Sequence, residues 1–141
     1  MRRLSLISII AVLVSCSTAK TTVTERPLYE ILIQKSYDGA KVKFYEIISQ
    51  PDEFVMIKND PDLKSKIGPN DINTASFLIL SMGEKATGGY AIGIDNVTET
   101  DKNIIVTIKE TTPEPGKNVT NAFTAPYCVV RINSKKEIII K

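Results

Sequence analysis

The chain has 141 residues, with 18 Lys+Arg against 16 Asp+Glu, two cysteines, no histidine and no tryptophan. The absence of histidine excludes Ser-His-Asp and Cys-His nucleophilic arrangements and the usual zinc ligand sets. Arg2 and Arg3 account for the small positive excess, so residues 16–141 carry 16 charges of each sign and lack the basic footprint of a nucleic-acid binder.

Met1-Arg2-Arg3 is a cationic start, Leu4 to Val14 is an apolar run broken by two serines, and small Ser15 precedes Cys16. This order of charged, apolar and small residues describes a signal peptide over residues 1–15. The run is shorter than the roughly 20 apolar residues of a membrane span. A cysteine at the cut makes it a lipobox: the thiol takes a diacylglycerol, and cleavage leaves Cys16 as the lipidated N-terminus. The expectation is a bacterial lipoprotein of the cell envelope, held to the membrane through that lipid. Ser17 stands where aspartate often marks retention at the inner membrane, so outer-membrane attachment is the default expectation, with the exposed face left open. Residues 16–26 lack apolar periodicity and are expected to form a flexible tether. Residues 27–141 suffice for one self-supporting domain. With Cys16 lipidated, no internal disulfide can form, and Cys128, inside Tyr127-Cys128-Val129-Val130, is expected to be a small buried hydrophobe.

Along the domain, Tyr29, Ile31 and Ile33 alternate with more polar neighbours before the turn Ser36-Tyr37-Asp38-Gly39. A second strand runs from Val42 to about Ser49. Asp52 to Asn59 is the one helix, opened by Pro51 and acidic residues, with Phe54, Val55 and Lys58 at helical spacing, and ended by Pro61. Lys64 to Asn73 is expected as a loop. Ala75 to Met82 is almost wholly apolar, as a strand buried on both faces would be. Tyr90, Ile92 and Ile94 share one parity, and Asn103 to Thr111 is a β-branched strand after the turn at Asp101-Lys102-Asn103. Pro113-Glu114-Pro115-Gly116 interrupts pairing. Cys128–Ile132 and Glu137–Ile140 are predicted to form a last hairpin around Asn133-Ser134-Lys135. The predicted fold is mainly β: an antiparallel β-sandwich or open barrel of about seven strands with one short helix.

Catalytic chemistry is sparse. No pair of carboxylates is spaced for shared acid/base work. Asp60, Asp62 and Asp71 do not follow an EF-hand pattern. Thr87-Gly88-Gly89-Tyr90 lacks the lysine and following helix of a phosphate loop. No enzyme activity, metal or cofactor is expected. Two loops stand out. Gly83 to Tyr90 joins two core strands and carries adjacent glycines, which permit positive φ and close approach. Pro113 to Pro126 is a 14-residue connection, a length more often functional than not, and leads into Tyr127. Turn chemistry, with Tyr90 and Tyr127 capping the core, would give the same composition, and both readings stay open here.

The run from Phe77 to Met82 followed by Gly83-Glu84-Lys85-Ala86-Thr87-Gly88-Gly89-Tyr90-Ala91-Ile92 resembles the signature of the protease complex subunit PrcB family, an apolar strand entering G-x-x-x-T-G-G-Y-x-I. Val106 to Lys109, Pro113 to Gly116, Asn121 to Tyr127 and Val130 resemble that family's later blocks in order, and Ser36-Tyr37-Asp38-Gly39 is similar to its S-Y-S-G turn. Ala86 replaces a frequent proline, and Cys128 follows the Pro-Tyr pair. The resemblance covers roughly Ile33 to Ile132. It implies a non-catalytic, often lipidated envelope protein whose partner is another envelope protein, a surface protease among the candidates. Lys85 to Tyr90 is also similar to the N-P-T-T-G-Y loop of chagasin-type cysteine protease inhibitors, with Ala125-Pro126-Tyr127 where those carry R-P-W/F. Both resemblances imply partner binding through Thr87, Gly88, Gly89, Tyr90, Pro126 and Tyr127, with exposed aromatics as anchors. The alternatives are an inhibitor using the same loops and a structural or small-ligand-binding lipoprotein in which Tyr90 and Tyr127 belong to the core.

Overall fold

The computed structural model describes residues 26–141; the expected signal sequence, Cys16 and the expected tether as far as Glu25 lie outside the described residues. The seven strands are β1 (Tyr29–Lys35), β2 (Lys43–Ile48), β3 (Ser76–Met82), β4 (Ala91–Glu99), β5 (Asn103–Thr111), β6 (Tyr127–Ile132) and β7 (Glu137–Ile140), with one helix, α1 (Pro51–Lys58). They form a four-stranded sheet in the order β1-β6-β3-β2 and a three-stranded sheet in the order β4-β5-β7. The arrangement is a sandwich and not a closed barrel.

Strand β3 explains the architecture. Successive strand side chains point to opposite faces, and both faces of β3 are covered. Phe77 faces a first core built with Leu32, Ile33 and Val129 from its own sheet, Phe54 and Ile57 of α1, and Leu63, Ile67 and Ile72. Leu78, Leu80 and Met82 face a second core with Cys128, Val130 and Ile132, closed by Ile92, Ile104, Val106 and Ile138 of the other sheet. A helical and looped layer, the four-stranded sheet and the three-stranded sheet are thus stacked in turn.

The predicted loop at 64–73 is part of that first layer. Turns at 61–66 and a 3-10 turn at Asp71–Asn73 bury Leu63 to 1% and Ile72 to 6% exposure. Arg131 of β6 ties the layer down: it pairs with Asp71, donates to the Lys66 carbonyl at 2.6 Å and lies 5.9 Å over the Phe77 ring. In α1, the Glu53 carboxylate accepts from the Ser49 and Gln50 N–H groups at 3.1 Å each, satisfying donors that an N-terminus leaves open. The helix buries Phe54 and Ile57, not Val55, which is 48% exposed. Phe54 stacks on Phe77 with centroids 5.1 Å apart.

The expected final hairpin does not form. β6 already has β1 on one side and β3 on the other, so neither of its edges can accept β7. The chain instead crosses at 133–136 to the other sheet, where β7 lies parallel to β5, from Asn103 opposite Glu137 to Val106 opposite Ile140. This is the one parallel pairing among the described strands.

The two flanks of the sandwich differ. On the β1/β4 flank both strands carry an irregularity, between Ile31 and Ile33 and between Ile94 and Asn96, and Gln34 Nε2 bridges the sheets to the Ile92 carbonyl at 2.8 Å. On the other flank β2 pairs regularly with β3, while Tyr45 and Ile47, on the second-core face, remain 37% and 36% exposed. The two ends differ as well. The described chain begins beside Pro27, whose carbonyl accepts from Asn133 Nδ2 at 2.7 Å, so the 133–136 crossing marks the end at which residues 26–28 join the sandwich, where the expected tether would arrive. The Ser36–Gly39 turn and the loops at 83–90 and 112–126 lie at the opposite, loop end.

Candidate docking site

Hydrogen bonds fuse the loops at the loop end into one rim. Lys85 and Thr124 form an isolated antiparallel bridge, N–H to carbonyl at 2.7 and 2.9 Å. The Thr124 hydroxyl donates to the Thr87 carbonyl at 2.8 Å, and the Gly88 N–H to the Thr120 carbonyl at 2.9 Å. Gly89 has φ of 88°, and a Cβ there would stand 2.9 Å from the Pro113 side chain, so the second glycine is needed for both conformation and space. The Ser36–Gly39 turn joins the same rim: the Ala125 N–H donates to the Ser36 carbonyl, and the Gly39 N–H returns to the Ala125 carbonyl, both at 3.0 Å. At Gly39 a Cβ would meet that carbonyl oxygen at 2.4 Å.

The structure therefore brings together Thr87, Gly88, Gly89, Tyr90, Pro126 and Tyr127. The two tyrosines are not exposed anchors. Tyr90 is half-buried against the second core, with Lys85 Nζ 5.6 Å over its ring. Tyr127 is half-buried against the first core, and burial pushes its phenol above the usual range. Pro126 is fully buried. Parity accounts for this: Tyr127 and Val129 share the first-core face of β6. The exposed apolar groups of the rim are Phe123 at 73%, Val42 at 67% and Tyr37 at 53%. Sequence reasoning passed over Phe123, although it is the one large apolar side chain between Thr120 and Thr124, with no alternating partner to draw it inward.

Charges beside the rim link the sheets. Lys43 Nζ is 2.6 Å from Glu110 of β5, and the Tyr45 hydroxyl donates to the same carboxylate. Lys43 and then Tyr45 hold Glu110 below its ordinary pKa, and Glu110 holds Lys43 above its own. Burial, then Glu110, raises Tyr45. Cys128, 0% exposed, has its thiol pushed up to about 11 by burial. Among the described residues, no group of three or more Cys, Asp or Glu side chains could hold a metal ion.

Residues 76–133 match the family model described as PrcB C-terminal. Over this stretch the chain is similar to the PrcB C-terminal domain. The PrcB match runs from β3 through β6 and contains both the 83–90 and the 112–126 loops; β1, β2, α1 and β7 lie outside it. No curated protein and no solved structure matches the chain, so the likeness to chagasin-type inhibitors rests on the loop motifs alone.

Proposed function

We propose that this chain is a non-catalytic accessory protein of a protease complex, anchored in the bacterial cell envelope by a lipid on Cys16 and docking its partner through the loop end. The similarity to the PrcB C-terminal domain at 76–133 supports the accessory role, and the lipobox supports an anchor, with Ser17 favouring the outer membrane. One observation carries the docking reading: the three loops are bonded into a single rim at the end of the sandwich opposite Pro27, where the expected tether would arrive. A domain held that way presents the rim away from its anchor. Phe123 and Tyr37 supply the exposed aromatic surface that interface anchors require, while Thr87, Gly88, Gly89, Tyr90, Pro126 and Tyr127 shape and stiffen the rim beneath them.

The test is affinity recovery of the tagged full chain from gently crosslinked envelopes, read by mass spectrometry, beside Phe123→Ala and Tyr37→Ala. The expected result is an identified protease recovered with the wild type and reduced at least tenfold with Phe123→Ala. Equal recovery from all three proteins would overturn docking through the rim. Loss of lipid labelling and of membrane association in Cys16→Ser tests the anchor separately.

A further inference from the structure

The open β2/β7 flank holds a cavity of about 290 Å³ near the 133–136 crossing. Ile47 of β2 and Ile138 of β7 supply its apolar walls, and Ser49 and Ser76 its polar lining. Three charged residues stand around it. Lys136 is committed to Glu99 at 2.8 Å and to the Thr100 carbonyl at 2.8 Å, and the Glu137 carboxylate accepts from Asn103 Nδ2 at 2.8 Å. Lys135 differs: its ammonium group donates to the Ser49 carbonyl at 2.7 Å and reaches the Ala75 carbonyl at 3.5 Å. No carboxylate neutralises it among the described residues. Carbonyl dipoles fix the position of that charge without cancelling it. The result is a positioned cation beside a slot between the two sheets whose lining is apolar at Ile47 and Ile138 and polar at Ser49 and Ser76.

We infer that this cavity is a binding site for an anionic amphiphile, with one negatively charged head group at Lys135 and an apolar tail along Ile47 and Ile138. A head group alone would gain little from an exposed lysine in water, and a tail alone would leave the cation unused; the combination matches both halves of the lining. Each further CH₂ buried strengthens binding about fourfold, so a short chain suffices for measurable binding. The site lies at the end where the expected tether would arrive, and a membrane phospholipid with a phosphate head group is the source the proposal adopts. This concerns the other end of the molecule from the docking rim, and the choice of a membrane lipid as its source rests on the lipid-anchor reading above.

The test is a ¹H–¹⁵N NMR titration of the full chain in uncharged maltoside micelles with dihexanoylphosphatidylglycerol, dihexanoylphosphatidylcholine and inorganic phosphate in separate arms. Saturable shifts confined to Ile47, Ser49, Ser76 and residues 135–138 are expected with the anionic lipid, weakened at least tenfold in Lys135→Gln and restored in Lys135→Arg. Resonances of the second core report that the variants remain folded. Equal binding of the zwitterionic lipid would overturn the role of charge, and equal binding of inorganic phosphate would overturn the role of the tail. Shifts with none of the three, or shifts indifferent to Lys135→Gln, would overturn the site itself.

Discussion

Both faces of the β1-β6-β3-β2 sheet carry a buried apolar core, yet they are covered by different means. One is closed by the β4-β5-β7 sheet, whose backbone groups are paired strand to strand. The other is closed by one eight-residue helix and a stretch of turns at 59–75, which depend on side-chain ties such as those of Arg131 and on the insertion of Leu63, Ile67 and Ile72. The difference teaches that a β-sheet can exchange a regular partner for an irregular one when a few large side chains and one guanidinium fix it. Such a cover is also expected to open locally at lower free energy than the paired sheet.

The largest expected effect tests the paired side. Ile104 is 0% exposed, and Ile104→Ala is expected to cost about 2–5 kcal/mol, seen as a lower denaturation midpoint with all probes changing together. Cys128 reports the same core. With its thiol at about 11, roughly one thiol in a thousand is ionised at pH 8, and thiolate is the reactive form. Labelling should therefore follow unfolding and accelerate in Ile104→Ala; rapid labelling of the native wild type would contradict a closed second core.

Next comes the irregular side. Arg131→Met removes the ties to Asp71, the Lys66 carbonyl and Glu30, at a cost of about 1–3 kcal/mol for the partners left unpaired. Part of that loss is offset, because Arg131 Nε is itself buried without a partner. Hydrogen exchange should rise over residues 59–75 while β4, β5 and β7 stay protected. Uniform loss of protection would show that the two covers form one cooperative unit and break the comparison.

A smaller effect concerns the link between β2 and β5. The folded-state pKa of Glu110 is depressed, so its contribution is present above the unfolded carboxylate value of about 4.3 and is lost as pH falls through the folded value. Glu110→Gln should lower the melting midpoint slightly at pH 7, and the difference from wild type should vanish on acidification below that window. A difference that persists at low pH would assign the effect to packing. The smallest effect is at the rim: Phe123→Ala should change stability by less than about 0.5 kcal/mol, so any loss of partner recovery would report contact and not folding.

What the sequence disclosed follows from periodicity. The period-two strands, the double burial of Ala75–Met82 and the proline-opened helix are local patterns, and each is present. The cover at 59–75 was not legible because Leu63, Ile67 and Ile72 follow neither a helical nor a strand period among Pro61, Gly68 and Pro69. The placement of β7 was hidden because a short link between strands suggests a hairpin, whereas occupied edges on β6 forbid one. The site shows the same division. Motif order identified its loops, but the bonds of Thr120 and Thr124 to the glycine loop depend on topology, and so does the inward turn of Tyr90 and Tyr127 that leaves Phe123 outermost.

The pairing of β1 with β6 places Tyr29 opposite Ile132, so the first strand to be synthesised has as its sheet neighbour nearly the last. Closing so long a loop is entropically unfavourable before any contact stabilises it, and folds dominated by such contacts form slowly. β2 likewise waits for β3, across the whole of α1 and the turns that follow. A chain that emerges N-terminus first therefore completes neither sheet until its sixth and seventh strands are available, while the tightly connected β4–β5 pair can form earlier.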